Sequence, residues 1–156
     1  ISLENARDEI LNLSLKRKLR VDIYELFAKM AGNNAGVESK RPLVDKVRSI
    51  KGEGYKTGII TNNVMEFGEG WRGLIPVDEL FDFVVDSSSV GVRKPDPRIF
   101  QIALEYLSDV APEHIVFLDD YQANVDVARS LGWRGITVGT DVLATISQLD
   151  ELLSRQ

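Results

Sequence analysis

Residues 58–63, Gly58-Ile59-Ile60-Thr61-Asn62-Asn63, run a short β-branched segment directly into a hydroxyl and two amides. Three more apolar runs share its texture: Phe81 to Val85, Ile115 to Leu118 and Gly135 to Val138. Such short, nearly unbroken runs suit parallel strands covered on both faces. Helical spacing separates them. Phe100, Ala103, Leu104 and Leu107 form one apolar stripe, Val125, Ala128 and Leu131 a second, and Val142, Ile146, Leu149 and Leu153 a third. Strands alternating with helices of this length imply right-handed βαβ units, so residues 41–156 are expected to be α/β, a doubly wound parallel sheet of Rossmann type. Upstream, Ile23, Leu26, Phe27 and Met30 recur at helical spacing as far as Gly32-Asn33-Asn34-Ala35-Gly36. A second helix is expected from near Pro42, with Leu43, Val47 and Ile50 on one face, ending at Gly52 and Gly54. Residues 1–40 read as a separate helical piece.

Composition removes several function classes. The net charge of −5 argues against nucleic acid or an anionic membrane as partner, because both demand clustered Lys and Arg. The one basic cluster, Lys16-Arg17-Lys18 with Arg20, reads as a solvated helix face. With no cysteine and a single histidine, disulfides, thiolate metal sites, zinc-type ligand sets and Ser-His or Cys-His triads fall away. Any metal must take oxygen ligands. No apolar run reaches the roughly 18 residues of a membrane helix, and a soluble, cytoplasmic protein is expected. Ile1 is not a natural initiator, so the chain is expected to be a fragment, a processed product or part of a longer protein.

Ligands of open α/β sheets bind in the crevice beyond the strand C-termini, and the informative polar residues follow apolar runs. Thr61-Asn62-Asn63 offers a hydroxyl and two amides beside backbone N–H groups, a set that holds phosphoryl oxygens or, equally, makes a turn and cap. Asp119-Asp120 sets two carboxylates side by side, which repel unless a cation or hydrogen bonds compensate. Hard oxygen ligands at a strand end suit Mg²⁺; a helix N-cap acid followed by a solvated one is the plainer reading. In Gly91-Val92-Arg93-Lys94-Pro95-Asp96-Pro97, Pro95 favours an extended Lys94, Asp96 is a natural N-cap and Pro97 suits the first helical position. Lys94 on such a stiff loop can neutralise both a phosphate and a neighbouring carboxylate. Tyr121 follows the acids and borders the same region, whereas Ser87-Ser88-Ser89 reads as a loop and His114 as structural.

These motifs carry a resemblance. From Arg41 to Leu153 the chain resembles the haloacid dehalogenase-like hydrolases, and within them the phosphatase-type domain at the N-terminus of soluble epoxide hydrolases and their relatives. The matching stretches are residues 58–63, the segment Gly91 to Phe100, and Val116-Phe117-Leu118-Asp119-Asp120 with Asn124. The resemblance implies Mg²⁺-dependent hydrolysis of a small phosphorylated substrate through an aspartyl phosphate. Thr61 and Asn62, with Asn63 beside them, would hold the phosphoryl group, and Lys94 would pair with it and the nucleophile. Asp119 and Asp120 would be the magnesium acids, and Asn124 would order their loop. Residues 1–40 would be the remnant of a cap.

One part of the family pattern is missing. Members carry an Asp-x-Asp pair after the first, central strand, and upstream of Thr61 only Asp8, Asp22 and Asp45 occur, each in a helical pattern. The expectation is a core without its first strand, unable to fold stably or act alone. An N-terminal segment outside these residues, or a second subunit, would complete the sheet. The alternative is a non-catalytic relative that binds a phosphorylated ligand or a protein partner. A signalling receiver domain also uses paired acids, a Thr and a Lys, but places the acids first, whereas here they come last.

Overall fold

The computed structural model describes residues 35–63 and 75–154, together with Asp8, Asn12, Lys16 and Arg72. The helix expected over residues 23–30 lies outside them. In chain order the elements are α1 (Ala35–Gly52), β1 (Gly58–Thr61), α2 (Val77–Leu80), β2 (Phe83–Asp86), α3 (Ser87–Val90), α4 (Pro97–Glu105), a 3₁₀ turn (Pro112–His114), β3 (Val116–Asp119), α5 (Gln122–Ser130), β4 (Arg134–Thr137) and α6 (Val142–Leu153). All four expected strands form, and α6 spans the stripe read from Val142 to Leu153.

Pairing is parallel. β1 lies beside β2 in the register Gly58↔Phe83 to Thr61↔Asp86, and β3 beside β4 from Val116↔Arg134 to Asp119↔Thr137. Among the described residues the strands make two separate pairs, β1-β2 and β3-β4. A cavity of about 690 Å³ separates the pairs, walled by Ile59 and Ile60 of β1, Val116 and Leu118 of β3, and Leu107 and Trp133. The edges that β1 and β3 turn away from their partners border one apolar slot, with Leu43 and Val47 of α1 and Leu149 of α6 also lining it.

One core nevertheless spans both pairs. Val85 of β2, Ile99 and Phe100 of α4, Phe117 of β3, Ala128 of α5 and Trp133 are all buried in one cluster. Phe100 meets Phe117 and Trp133 edge-on at centroid distances of 5.2 and 5.6 Å, contacts that contribute about 0.5–1.5 kcal/mol each beyond burial. At the start of β1 only glycine fits, since a Cβ on Gly58 would fall 2.1 Å from the Phe83 ring. That ring stacks on Tyr106 at 4.9 Å.

Two local readings change. The helix expected from near Pro42 begins at Ala35 and carries the proline inside. Pro42 forfeits one helical hydrogen bond, and Leu43, Val47 and Ile50 still face inward, half-buried. Ser87-Ser88-Ser89 is a helical turn rather than a loop: Asp86 accepts from Ser88 N at 2.8 Å, and Gly91, at φ 73°, closes the turn in the left-handed region. A single turn is too short to show an apolar period, so the sequence pattern could not announce it.

Asp82 ties α1 to the entry of β1. Its carboxylate accepts from Thr57 N at 2.8 Å and Lys51 Nζ at 3.0 Å, and Thr57 Oγ1 donates to Leu80 O at 2.6 Å. The Thr57 N–H holds the Asp82 carboxyl below its ordinary range; burial opposes it less strongly, and Lys51 adds to the lowering. A lowered folded value means the contribution is present above the unfolded carboxylate pKa near 4 and is lost as pH falls through the folded value. Asp82→Asn is therefore expected to lower stability by about 1 kcal/mol at neutral pH, the Lys51 pair being partly solvated. In urea titrations the gap between variant and parent should close in acid.

Candidate active site

Two strand-end loops and the loop joining α3 to α4 meet at one cavity of about 550 Å³, lined by Asn62 after β1, by Arg93, Lys94 and Pro95 before α4, and by the acidic loop after β3 with Asn124. Asp119, Asp120 and Tyr121 are the lining residues of that acidic loop.

Lys94 is the centre. Its ammonium donates to Ile60 O and to Asp119 Oδ2, each at 2.7 Å, and lies 5.7 Å from the centroid of the Phe117 ring. Two of three donors are thus used, and one remains for a ligand. The pair is nearly dry, with side-chain exposures of 11% and 7% for Lys94 and Asp119. Asp119 is held from the other side by Asn124 Nδ2 and Tyr121 N, both 2.8 Å from Oδ1. Asn124 therefore orders the acidic loop by direct hydrogen bonding.

Asn62 plays a part the sequence does not reveal. Its Oδ1 accepts from Lys94 N at 2.7 Å and its Nδ2 donates to Lys94 O at 2.9 Å, so one side chain brackets the lysine's backbone. The Lys94–Pro95 peptide is cis. Beyond it, Asp96 caps α4 through Arg98 N, with Pro97 as its first residue. Arg98, through its side chain first and then its N–H, holds the Asp96 carboxyl down to about 2.

The remaining expected residues divide. Thr61 ends β1 but is not among the residues lining the cavity. Asn63 turns to the β2 end, its N–H donating to Ser87 Oγ and its Nδ2 to Asp86 Oδ2, both at 2.9 Å. His114 lies outside this cavity. Arg93 lines it, although the sequence offered no signal beyond its place beside Lys94.

The donor set fits a magnesium-like ion in part. Asp119 and Asp120 offer two adjacent carboxylates, and Asn124 Oδ1 is buried with no hydrogen-bond partner, a lone pair that ion-bound water would satisfy. No group of three or more acidic, His or Cys ligands forms among the described residues. Remaining oxygens would have to come from water and a ligand's phosphate.

A profile of the haloacid dehalogenase-like hydrolases matches residues 5–132. The chain belongs to that family. Among curated proteins it is 39% identical to mouse acyl-CoA dehydrogenase family member 10 over 113 residues, which are 71% of this chain and 10% of that protein. With mouse bifunctional epoxide hydrolase 2 it shares 34% over 116 residues, 72% of the chain and 20% of the relative. With the pyrophosphatase PpaX of Bacillus cereus it shares 33% over 102 residues, 65% and 47%. The chain thus spans half or less of each relative's length. A predicted hydrolase of this family from Porphyromonas gingivalis has the same fold, at TM-score 0.64 and 22% identity over 96% of this chain and 73% of that one. A Bacteroides thetaiotaomicron family enzyme, solved with magnesium and inorganic phosphate, aligns at TM-score 0.55 and 22% identity over 65% and 54%. Among the described residues no helix is long and apolar enough to cross a membrane.

Removing either half of the Lys94–Asp119 pair leaves the other buried and unpaired, which typically costs about 3–5 kcal/mol. Lys94→Met and Asp119→Ala are each expected to lose on that order, and the double variant clearly less than the sum. A double-mutant cycle in denaturant is the check.

Proposed function

We propose that these residues supply three of four parts of a Mg²⁺-dependent phosphatase acting on a small phosphorylated substrate. The observation carrying this reading is the convergence of Asn62, Lys94, Asp119, Asp120 and Asn124 on one cavity at the strand ends. In this reading the phosphoryl group sits against the loop of Thr61 and Asn62 and the free donor of Lys94. Asp119 and Asp120 would hold the magnesium ion, which supplies charge neutralisation. The names of PpaX and of the magnesium- and phosphate-bound Bacteroides enzyme support this chemistry by kinship.

The fourth part is a nucleophilic carboxylate, which we place on a strand seated in the slot between β1 and β3, from an N-terminal segment beyond these residues or from a second subunit. It would attack phosphorus as the bond to the leaving alkoxide breaks, and the alkoxide would take a proton from a second acid. Water would then cleave the acyl phosphate, releasing inorganic phosphate and restoring the carboxylate. Lys94 would offset the repulsion between the two anions.

A second reading, ligand binding without turnover, draws support from Asp119, whose two oxygens are both already hydrogen-bonded. The readings separate on nitrophenyl phosphate in magnesium buffer. Residues 1–156 alone are expected to release no nitrophenol. With the carboxylate-bearing strand restored, turnover should appear, vanish in EDTA, and fall about 100-fold or more in kcat/KM for Lys94→Ala. Phosphate binding with no turnover in the completed protein would establish the second reading.

A further inference from the structure

Most residues around the site cavity are committed to one another. Lys94 and Asp119 are paired, Asn62 brackets Lys94, and Asn124 holds Asp119. Arg93 and Tyr121 are not. Arg93 is exposed, and its guanidinium has no hydrogen-bond or ion-pair partner among the described residues, although Asp120 lines the same cavity. Tyr121 is 62% exposed, and its ring and hydroxyl are likewise without a partner. Both are nonetheless fixed at the backbone. Arg93 O accepts from Asp96 N at 2.9 Å, the next residue is bracketed by Asn62, and Tyr121 N donates to Asp119 Oδ1.

Burial sorts the cavity into a base and a rim. Lys94 and Asp119 lie at the dry base, while Arg93, Asp120 and Tyr121 are exposed at the rim. A phosphoryl group at the base leaves the rest of its molecule at the rim. With Asp120 committed to the magnesium ion in that reading, Arg93 is the uncommitted cation at the rim that attracts an anionic leaving group. A guanidinium presents a planar fork matched to two oxygens of a carboxylate or phosphate. The exposed Tyr121 ring, lining the same cavity, offers an apolar face to the linking atoms.

We propose that Arg93 and Tyr121 form a second recognition point, selecting phosphorylated substrates that carry another oxyanion, carboxylate or phosphate, on the leaving group. The inference rests on the phosphate-binding reading above and names the substrate class for that site.

The test is calorimetric titration of the protein in magnesium buffer with four probes: inorganic phosphate, phenyl phosphate, carboxyphenyl phosphate and phenylene bisphosphate. The two probes with a second anion should bind roughly tenfold to hundredfold more tightly than phenyl phosphate, as a charge-assisted bidentate contact implies. The larger gain of the two identifies the preferred oxyanion. Arg93→Gln should erase that preference and leave inorganic phosphate and phenyl phosphate within about twofold, and Arg93→Lys, which keeps charge but not the fork, should restore only part of it. Tyr121→Ala should weaken the aryl probes alike and spare inorganic phosphate. Equal affinity of the parent for phenyl phosphate and for the two probes that carry a second anion overturns the inference, as does an Arg93→Gln loss of equal size for every probe. If inorganic phosphate does not bind at all, the phosphatase reading itself fails; if it binds without any preference, only the rim assignment does.

Discussion

The Lys94–Asp119 ion pair is the interaction on which the site depends. It joins the C-terminal end of β3 to that of β1, because the same ammonium also donates to Ile60 O. Two charges so little exposed carry a large desolvation cost, which is offset only where geometry is good and the other polar atoms are bonded. Both conditions are met for Asp119, whose oxygens also meet Asn124 and Tyr121 N. Since β1 and β3 also wall the slot between the strand pairs, the contact ties together the two strands that border it.

Around that pair each motif supports another. Asn62 follows β1 and holds the lysine loop; Asp86 ends β2, caps α3 and anchors Asn63; Asp96 caps α4 and fixes the far side of the same loop. Each cap acts locally, within a few residues, while Asn62 and Lys94 act across more distant stretches of chain. α4 adds the apolar counterpart, with Phe100 wedged between residues of both strand pairs.

The strands were legible because buried parallel strands write unbroken apolar runs, and α6 because its stripe covers three turns. Short elements were not: α2 and α3 are four residues each, barely one turn and too short to repeat an apolar period. The start of α1 was misplaced because Gly36 and Pro42 are ordinary stop and start signals, and tertiary packing of Leu43 and Val47 outweighed them. At the site, Lys94, Asp119, Asp120 and Asn124 were legible from motif and position. The bracket formed by Asn62 was not, since an amide's partner depends on loop geometry that its own sequence does not encode. The standing of Arg93 was hidden for a related reason: whether a surface arginine is paired or free is decided by neighbours far away in the chain.

The bracket on Lys94 has an entropic meaning. A lysine on a loose loop must be ordered when its ligand arrives, and backbone ordering costs about 1–2 kcal/mol per residue. Here the loop is fastened on both sides of Lys94 during folding, by Asn62 and by the cap of α4. In the phosphate-binding reading proposed above, an anion entering the cavity would meet a donor already aimed, and the affinity it gained would not be spent on arranging the receptor.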